Sequence, residues 1–541
     1  MILFVADFFV EQYKGGAELT TEALYRSSLF PIRKIHSNSL NPKTMEKYKN
    51  SFWIFGNFSN LSENCLLYAI KNLKYSVLEY DYKYCKYRSP GKHIDAEGSC
   101  NCHTSRQGKI VSMFLNSSVA TWWMSDQQKQ KYQKLFPFLK NGNRVLNSVF
   151  SSDTLDYIDS LDTTNKNDKW IIMNSQSWIK GVQDAVEYAK ENNLEYELLW
   201  GLEHKAFLKK LAESKGLIFL PKAGDTCPRM VIEAKLLDCE LTLNHNVQHR
   251  NELWFVDKER VMKHLRSRTT IFWNTLEVIA AKHLGLPETN NDADIRYQVI
   301  VPFYNAEKWV GKCVESLKRQ QHRNFICTMI DDVSTDTGFE TAKKSIGNDT
   351  RFRLIKNDEK RYALGNIAYA LERTECHDND VVILLDGDDW LASYRALSRL
   401  SEAYMDEECL LTYGSYVYHP MGTRGVEPSE YSAEVINNNG FRQDRWRASH
   451  LRTFKYGLWM HLNHDDLKDE DGNYYKMTYD QAIMLPLLEL AGDRSRYIPE
   501  ILHVYNKGNP LNIDKNKAQE QFALAQRIRK KRPYERKEKV W

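Results

Sequence analysis

Short apolar runs recur along the chain, each closed by polar turn formers and followed by a stretch of helical periodicity. In the first half, "ILFVADFF", "FWIFGNF", "YSVLEYDY" and "VATWWMS" read as strands, and "ELTTEALYRSS" and "NCLLYAIKNLK" as helices. A second series follows from about Lys169: "WIIMNS", the helix "VQDAVEYAKENN", "YELLWG", the helix "HKAFLKKLAESK", then "GLIFLP" and "MVIEAKLLD". Alternation of strands and helices predicts parallel sheets, here two in succession. A helical stretch, "KERVMKHLRSRTTIFWNTLEVIAAKHLG", closes this half at Gly285. "LPETNNDADIR", Leu286 to Arg296, is polar, holds Pro287 and lacks periodicity, so it reads as a linker. A third α/β unit opens at "YQVIVPFYN". The pattern predicts an α/β protein with one domain over 1–285, a linker over 286–296, a second domain over 297–510 and a basic tail over 511–541.

Composition changes this picture little. A chain of 541 residues is too long for one core, and 42% hydrophobic with 27% charged residues is the balance of a globular protein. The net charge of +4 demands no polyanionic partner. Its distribution is less even: "RQDRWRASHLRTFK" (Arg442 to Lys455) and "RIRKKRPYERKEKVW" are basic, as solvated surface or as contacts for a phosphate-bearing acceptor. No apolar stretch is long enough to span a membrane, and the opening "MILFVADFFV" carries Asp7 and no basic leader, so it reads as a buried strand. Ten scattered cysteines suit a reducing compartment, and a cytoplasmic location is expected.

The chemistry concentrates in the second half. "FICTMIDDVSTDTG" ends a strand in Asp331 and Asp332, and "VVILLDGDDWL" ends another in Asp386, Asp388 and Asp389. Carboxylates at the C-terminal ends of parallel strands gather in the crevice where open α/β sheets bind ligands. Repulsion among them calls for a cation, and Mn2+ or Mg2+ would complete its oxygen shell with substrate phosphates. That points to a nucleoside-diphosphate donor, whose departing charge a metal offsets.

"IVPFYNAEKWVGKCVESLKRQ", "IDDVSTD" and "LLDGDDWL" resemble, in order, the signatures of family 2 glycosyltransferases, which have the GT-A fold. The resemblance spans about Tyr297 to Pro510. It implies a nucleobase contact at Asp332, metal and sugar contacts at Asp386, Asp388 and Asp389, and a diphosphate or sugar contact at Arg361 in "KRYALGNIAYAL". "MTYDQAIMLPLLELAG" resembles the segment holding the family's catalytic base and nominates Asp480, which starts a helix and would also suit a cap. "ILHVYNKGN" nominates His503 as a metal ligand or, equally, a structural histidine. Acceptor contacts are expected between metal and base, in "DRWRASHLRTFKYGLWMHLN". There Trp446 and Trp459 suit ring stacking or core packing, and His450, Arg452 and Lys455 suit an anion.

The first half resembles a compact GT-B transferase. Gly15 and Gly16 lie between a strand and a helix, where backbone N–H groups can approach a ligand. "FLPKAGDTCPRMVIEAKLLDCE" resembles the donor site of family 4 GT-B enzymes, with Asp225 and Glu233 as its acidic pair and Asp where the family has Glu. Lys180 sits where that family has a diphosphate lysine, although the accompanying arginine is missing. In "YCKYRSPGKHIDAEGSCNCH", Cys85, His93, Cys100 and Cys102 offer a donor set for Zn2+, or free thiols in a loop, since the spacing matches no standard finger.

The expected activity is metal-dependent, inverting transfer of a sugar, from a UDP-sugar in most of the resembled family, to a hydroxyl of a macromolecular acceptor, with glycan assembly favoured. Three alternatives stand beside it. One is glycosylation of hydroxymethylated cytosine in duplex DNA by a phage-encoded enzyme. Another is a bifunctional enzyme with a second, retaining transferase in the first half. The last is a non-catalytic binding protein on two transferase folds.

Overall fold

A computed structural model describes residues 1–139, 144–286, 295–512 and 517–538. Most of the expected linker, 287–294, and two pieces of the expected tail, 513–516 and 539–541, lie outside the described residues. The chain forms two compact units. One comprises Ile2–Ser28 and Ile32–His283, and the other Leu284–Trp541 with Met1 and Leu29–Pro31.

The first unit contains two parallel sheets. Strands β1 (Ile2–Ala6), β2 (Ile32–His36), β3 (Phe52–Phe55), β4 (Lys74–Glu79), β5 (Ala120–Trp123) and β6 (Arg144–Val145) lie in the order β2-β1-β3-β4-β5-β6. Strands β7 (Trp170–Met173), β8 (Tyr196–Leu199), β9 (Gly216–Phe219) and β10 (Glu240–Leu243) lie in the order β10-β9-β7-β8. Every pairing in both sheets is parallel. β1 and β3 are buried along their whole length, as strands covered on both faces must be. "MVIEAKLLD" lies largely in the helix Arg229–Leu236. The helix Lys258–Leu284 ends the unit's run of elements.

The second unit is built on one sheet of eight strands. These are β11 (Tyr297–Phe303), β12 (Phe325–Asp331), β13 (Phe352–Lys356), β14 (Val381–Leu384), β15 (Trp390–Leu391), β16 (Leu411–His419), β17 (Arg452–Lys455) and β18 (Ser495–Asn506), ordered β13-β12-β11-β14-β17-β16-β18-β15. The first four are parallel, and β17 then joins β14 in the antiparallel sense. Alternate residues feed two cores on opposite faces of the sheet. Val299, Val301, Val381 and Ile383 pack toward the helices Val310–Lys318 and Ala396–Tyr404. Ile300, Val382 and Leu384 pack toward the helices Tyr362–Arg373 and Tyr479–Ala491. The helix Tyr479–Ala491 is buried from Ala482 to Ala491, which explains why it is apolar all round. Ile528, on the helix Ala518–Arg529, is buried in the same core, so this part of the basic C-terminal stretch is packed against the domain. Among the described residues, no helix is long and apolar enough to cross a membrane.

Candidate active site

The site lies where β12 and β14 end. β14 hands the chain directly to Asp386, and a tight approach keeps it there: a Cβ on Gly387 would come within 2.4 Å of the Phe303 side chain. Asp389 is buried. Its Oδ2 lies 2.8 Å from Nε2 of His503, and its Oδ1 accepts from the backbone N–H of Asn506 at 2.8 Å. The Asp388 carboxylate accepts from the Asn509 amide at 2.7 Å. The end of β18 and its following loop therefore clamp both carboxylates.

Burial, together with the charges of Asp389 and Asp386, pushes the Asp388 carboxyl up to about 8. Burial and repulsion from Asp386 push Asp389 upward as well. Burial holds His503 down to about 3, so its ring is neutral, and its Nδ1 is enclosed with no hydrogen-bond partner. The His450 ring stacks on that of His503 with centroids 4.4 Å apart. One ligand atom each from Asp389, His450 and His503 lie within 4.8 Å of one another. Carboxylates crowded without a full counter-charge, close to imidazoles of which one has an unpartnered ring nitrogen, are a donor set suited to a divalent cation.

A second feature organises the site. The guanidinium of Arg452, 3% exposed, lies 3.8 Å from Asp386 and 3.7 Å from Asp480, and donates to Nδ1 of His450 and to the Tyr479 hydroxyl at 3.1 and 3.0 Å. Tyr479 in turn donates to Asp386, at 2.7 and 2.8 Å from its two oxygens. Arg452 is thus a buried hub, and the expectation that it meets an acceptor is corrected: its charge is used inside the carboxylate cluster. Asp480 lies in the first turn of its helix beside this hub. The cap position is Thr478, with no side-chain cap bond, so Asp480 is placed by the helix and Arg452 without being the cap.

The other expected residues divide. Asp332 is nearly buried and accepts from Asn357 Nδ2 (3.0 Å) and from the backbone N–H groups of Arg361 (2.8 Å) and Tyr362 (2.9 Å), fixing the loop that presents Arg361. The Arg361 guanidinium lies over the Tyr369 ring at 4.2 Å. Trp459, 2% exposed, packs within the core near Phe454, which excludes stacking on an acceptor. Trp446 is partly buried against the same core. Much of the basic stretch is tied up within the domain, Arg445 being exposed. Arg442 pairs with Glu489 at 2.6 Å in the interior, Arg447 pairs with Asp444 at 2.6 Å, and Lys455 donates to the Glu407 carbonyl. Tyr479, Asn506 and Asn509 were not anticipated. The signals available were position alone: Tyr479 directly precedes Asp480, and Asn506 and Asn509 fall in "ILHVYNKGN" with His503.

In the first unit, Gly16, Lys180, Asp225 and Glu233 line one cavity of about 470 Å³, with Gly15 next to it at the helix start. Lys180 is not free: its Nζ lies 2.6 Å from Oδ2 of Asp225. Glu233 lies 2.9 Å from Nε2 of His204.

Residues 298–462 match the family model described as Glycosyl transferase family 2. Asp480 and His503 fall beyond the matched residues. The chain is 27% identical over 120 residues to an uncharacterized glycosyltransferase of Haemophilus influenzae, covering 22% of this chain and 46% of that protein. It is 35% identical over 97 residues to the teichoic acid poly(glycerol phosphate) polymerase of Staphylococcus epidermidis, covering 18% and 13%. Over 220 residues it is 22% identical to the uncharacterized glycosyltransferase EpsJ of Bacillus subtilis, covering 40% and 62%. The matches span less than two thirds of each of these relatives. A crystal structure of S. aureus TarS is similar over 39% of this chain and 37% of that one, with a TM-score of 0.31 and 18% identity. By its sequence match, the C-terminal half of the chain carries a family 2 glycosyltransferase domain.

Proposed function

We propose that the C-terminal half, as a GT-A-type domain over about 297–510, transfers a sugar with inversion from a nucleotide-diphosphate donor, a UDP-sugar, to an acceptor hydroxyl. The observation that carries this reading is that the guanidinium of Arg452 lies within 3.8 Å of both Asp386, of the carboxylate cluster, and Asp480, the base candidate. Asp389, His503 and His450, with Asp388 beside them, would hold Mn2+ or Mg2+. Such an ion supplies positive charge for the departing diphosphate. Asp332 and Arg361 shape the donor pocket. Asp480 takes the proton of the acceptor hydroxyl as its oxygen bonds to the anomeric carbon. The bond to the diphosphate oxygen breaks, and the nucleotide leaves with that electron pair.

A glycan acceptor is favoured. Arg442 and Arg447, two of the arginines that a DNA backbone would need, are tied up in ion pairs, and most of the named relatives are glycosyltransferases. For the N-terminal half, two successive parallel sheets and the cavity holding Lys180, Asp225 and Glu233 support a GT-B-like arrangement. The Lys180–Asp225 ion pair speaks for a degenerate donor site, because a diphosphate would have to displace Asp225.

The test incubates the protein with UDP-sugars, Mn2+ and either glycan or hydroxymethylated DNA, and follows product mass. Asp480→Asn should retain donor binding and lose turnover by roughly 10²–10⁴-fold. Asp389→Ala should lose metal-dependent nucleotide binding. Near-normal turnover of Asp480→Asn, or full activity in EDTA, would overturn the reading.

A further inference from the structure

In the first unit, far along the sequence from the aspartates, the chain gathers three thiols and one imidazole. Cys85 closes a turn after β4, with its N–H bonded to the Tyr82 carbonyl at 2.9 Å. Ser89 caps the helix Pro90–Glu97, which carries His93 and, one turn later on the same face, Glu97. Gly98 ends that helix with φ 77, a left-handed conformation that turns the chain back so that Cys100 and Cys102 face His93. Behind them, a Cβ on Gly108 would come within 2.0 Å of the Cys102 carbonyl, so the next helix packs directly against this loop.

The ligand atoms lie at metal-site spacing. Sγ of Cys100 is 3.7 Å from Sγ of Cys85, and Nδ1 of His93 is 3.5 Å from Sγ of Cys85 and 3.3 Å from Sγ of Cys102. All four donors lie within 4.8 Å of one another. A tetrahedral zinc with bonds of about 2.3 Å to sulfur and about 2.0 Å to nitrogen has edges of about 3.8 Å between sulfurs and about 3.5 Å from sulfur to nitrogen. The observed separations match those edges and are far too long for a disulfide, which needs about 2.05 Å. All three cysteines are free thiols.

The surroundings complete the pattern. Nε2 of His93 faces Oε2 of Glu97 at 3.0 Å, and Glu97 is fixed by Lys86 at 2.8 Å and Tyr87 at 2.9 Å. A carboxylate on the outer ring nitrogen sets Nδ1 as the ligand and orients the ring. From this geometry we infer that Cys85, His93, Cys100 and Cys102 bind one structural Zn2+. Four protein donors fill the tetrahedron, so no position remains for substrate and the ion is not catalytic. It pins the segment between β4 and β5, which supplies Asp81 and Arg88 to the wall of the N-terminal cavity.

Metal analysis of the full-length protein, purified without added zinc, tests this. About one tightly held zinc per chain is expected, released as a mercurial reagent titrates the thiols. The protein reconstituted with Co2+ should show the intense visible absorption and sulfur-to-metal charge transfer of a tetrahedral thiolate site, which an aspartate–histidine site cannot produce. Cys100→Ser with Cys102→Ser should abolish both signals. Because that variant could also misfold, Glu97→Ala, at a partly exposed position, serves as the milder probe and should weaken zinc affinity by about 10–100-fold. A zinc-free native protein overturns the inference. So does zinc content unchanged in the cysteine variant, or a disulfide among these cysteines in protein purified under reducing conditions.

Discussion

Val333, Tyr362 and Thr478 hold left-handed backbone, with φ of 63°, 57° and 58°, and each directly follows or precedes a residue of the proposed site: Asp332, Arg361 and Tyr479. A β-branched or bulky side chain in that region costs roughly 1–3 kcal/mol, and such strain collects where a loop must be held in one shape. Val333→Gly should remove the strain, less the roughly 1 kcal/mol of added chain entropy. The expected outcome is a modest rise in melting temperature with weaker nucleotide binding, read by thermal melts and by titration. A lower melting temperature would show that the Val333 side chain packs more than it strains. The aspartates themselves were legible, because three acidic residues behind a buried strand need no partner to be noticed. The hub was not. Arg452 meets Tyr479 and Asp480 from 27 and 28 positions away and Asp386 from 66, and no local pattern encodes that meeting. Trp459 misled for the complementary reason, since an aromatic ring reads alike whether it faces a sugar or a core.

Between elements, the Arg442–Glu489 pair joins the loop before β17 to the helix Tyr479–Ala491. Its side chains are 2% and 0% exposed, and Arg442 also donates to the Ile528 carbonyl. Glu489→Ala leaves a buried guanidinium without its counter-charge and should cost about 3–5 kcal/mol in urea unfolding. Arg445→Ala, at an exposed position in the same stretch, should change stability by no more than about 0.5 kcal/mol. Equal effects would mean that the pair adds nothing to the packing of this helix. Strand legibility followed the same logic of exposure. In the first unit, β2, β6 and β10 lack the apolar runs that marked its other strands, and all three lie at sheet edges with mostly half-exposed or exposed residues. An edge strand is held by backbone pairing on one side only, so its sequence carries little hydrophobic signal. The covered strands β1, β3, β4, β5, β7 and β9 were readable for the opposite reason.

At the scale of the whole molecule, histidines buried in the neutral form should make the fold sensitive to acid. In the first unit, Trp254 stacks with two imidazoles, His249 at 5.4 Å and His264 at 4.4 Å, and burial lowers both histidines to about 3. Their folded values lie below the unfolded one, so the unfolded chain binds more protons below about pH 6.5, and stability falls as the pH drops from there toward 3. His249 alone, fully buried, contributes a loss of about 2 kcal/mol at pH 5. Denaturant melts at pH 7.5 and 5 should show this loss, and His249→Phe should reduce it. An unchanged pH dependence would place the acid-sensitive group elsewhere. The clamp on the metal carboxylates has a further consequence, for the time course of folding. In the second unit β11 pairs with β12 over a short span, Tyr297 to Phe325, whereas Asp389 waits for His503 and Asn506, 114 and 117 residues downstream. Closing a loop about four times longer costs about 1.2 kcal/mol more in chain entropy, and strand pairing over such spans is slow. Refolding chains should therefore pass through an interval in which the sheet is compact but has no grip on a divalent ion. Stopped-flow refolding followed by tryptophan fluorescence and by Mn2+ uptake would separate the two events, and a single shared phase would show that they are one.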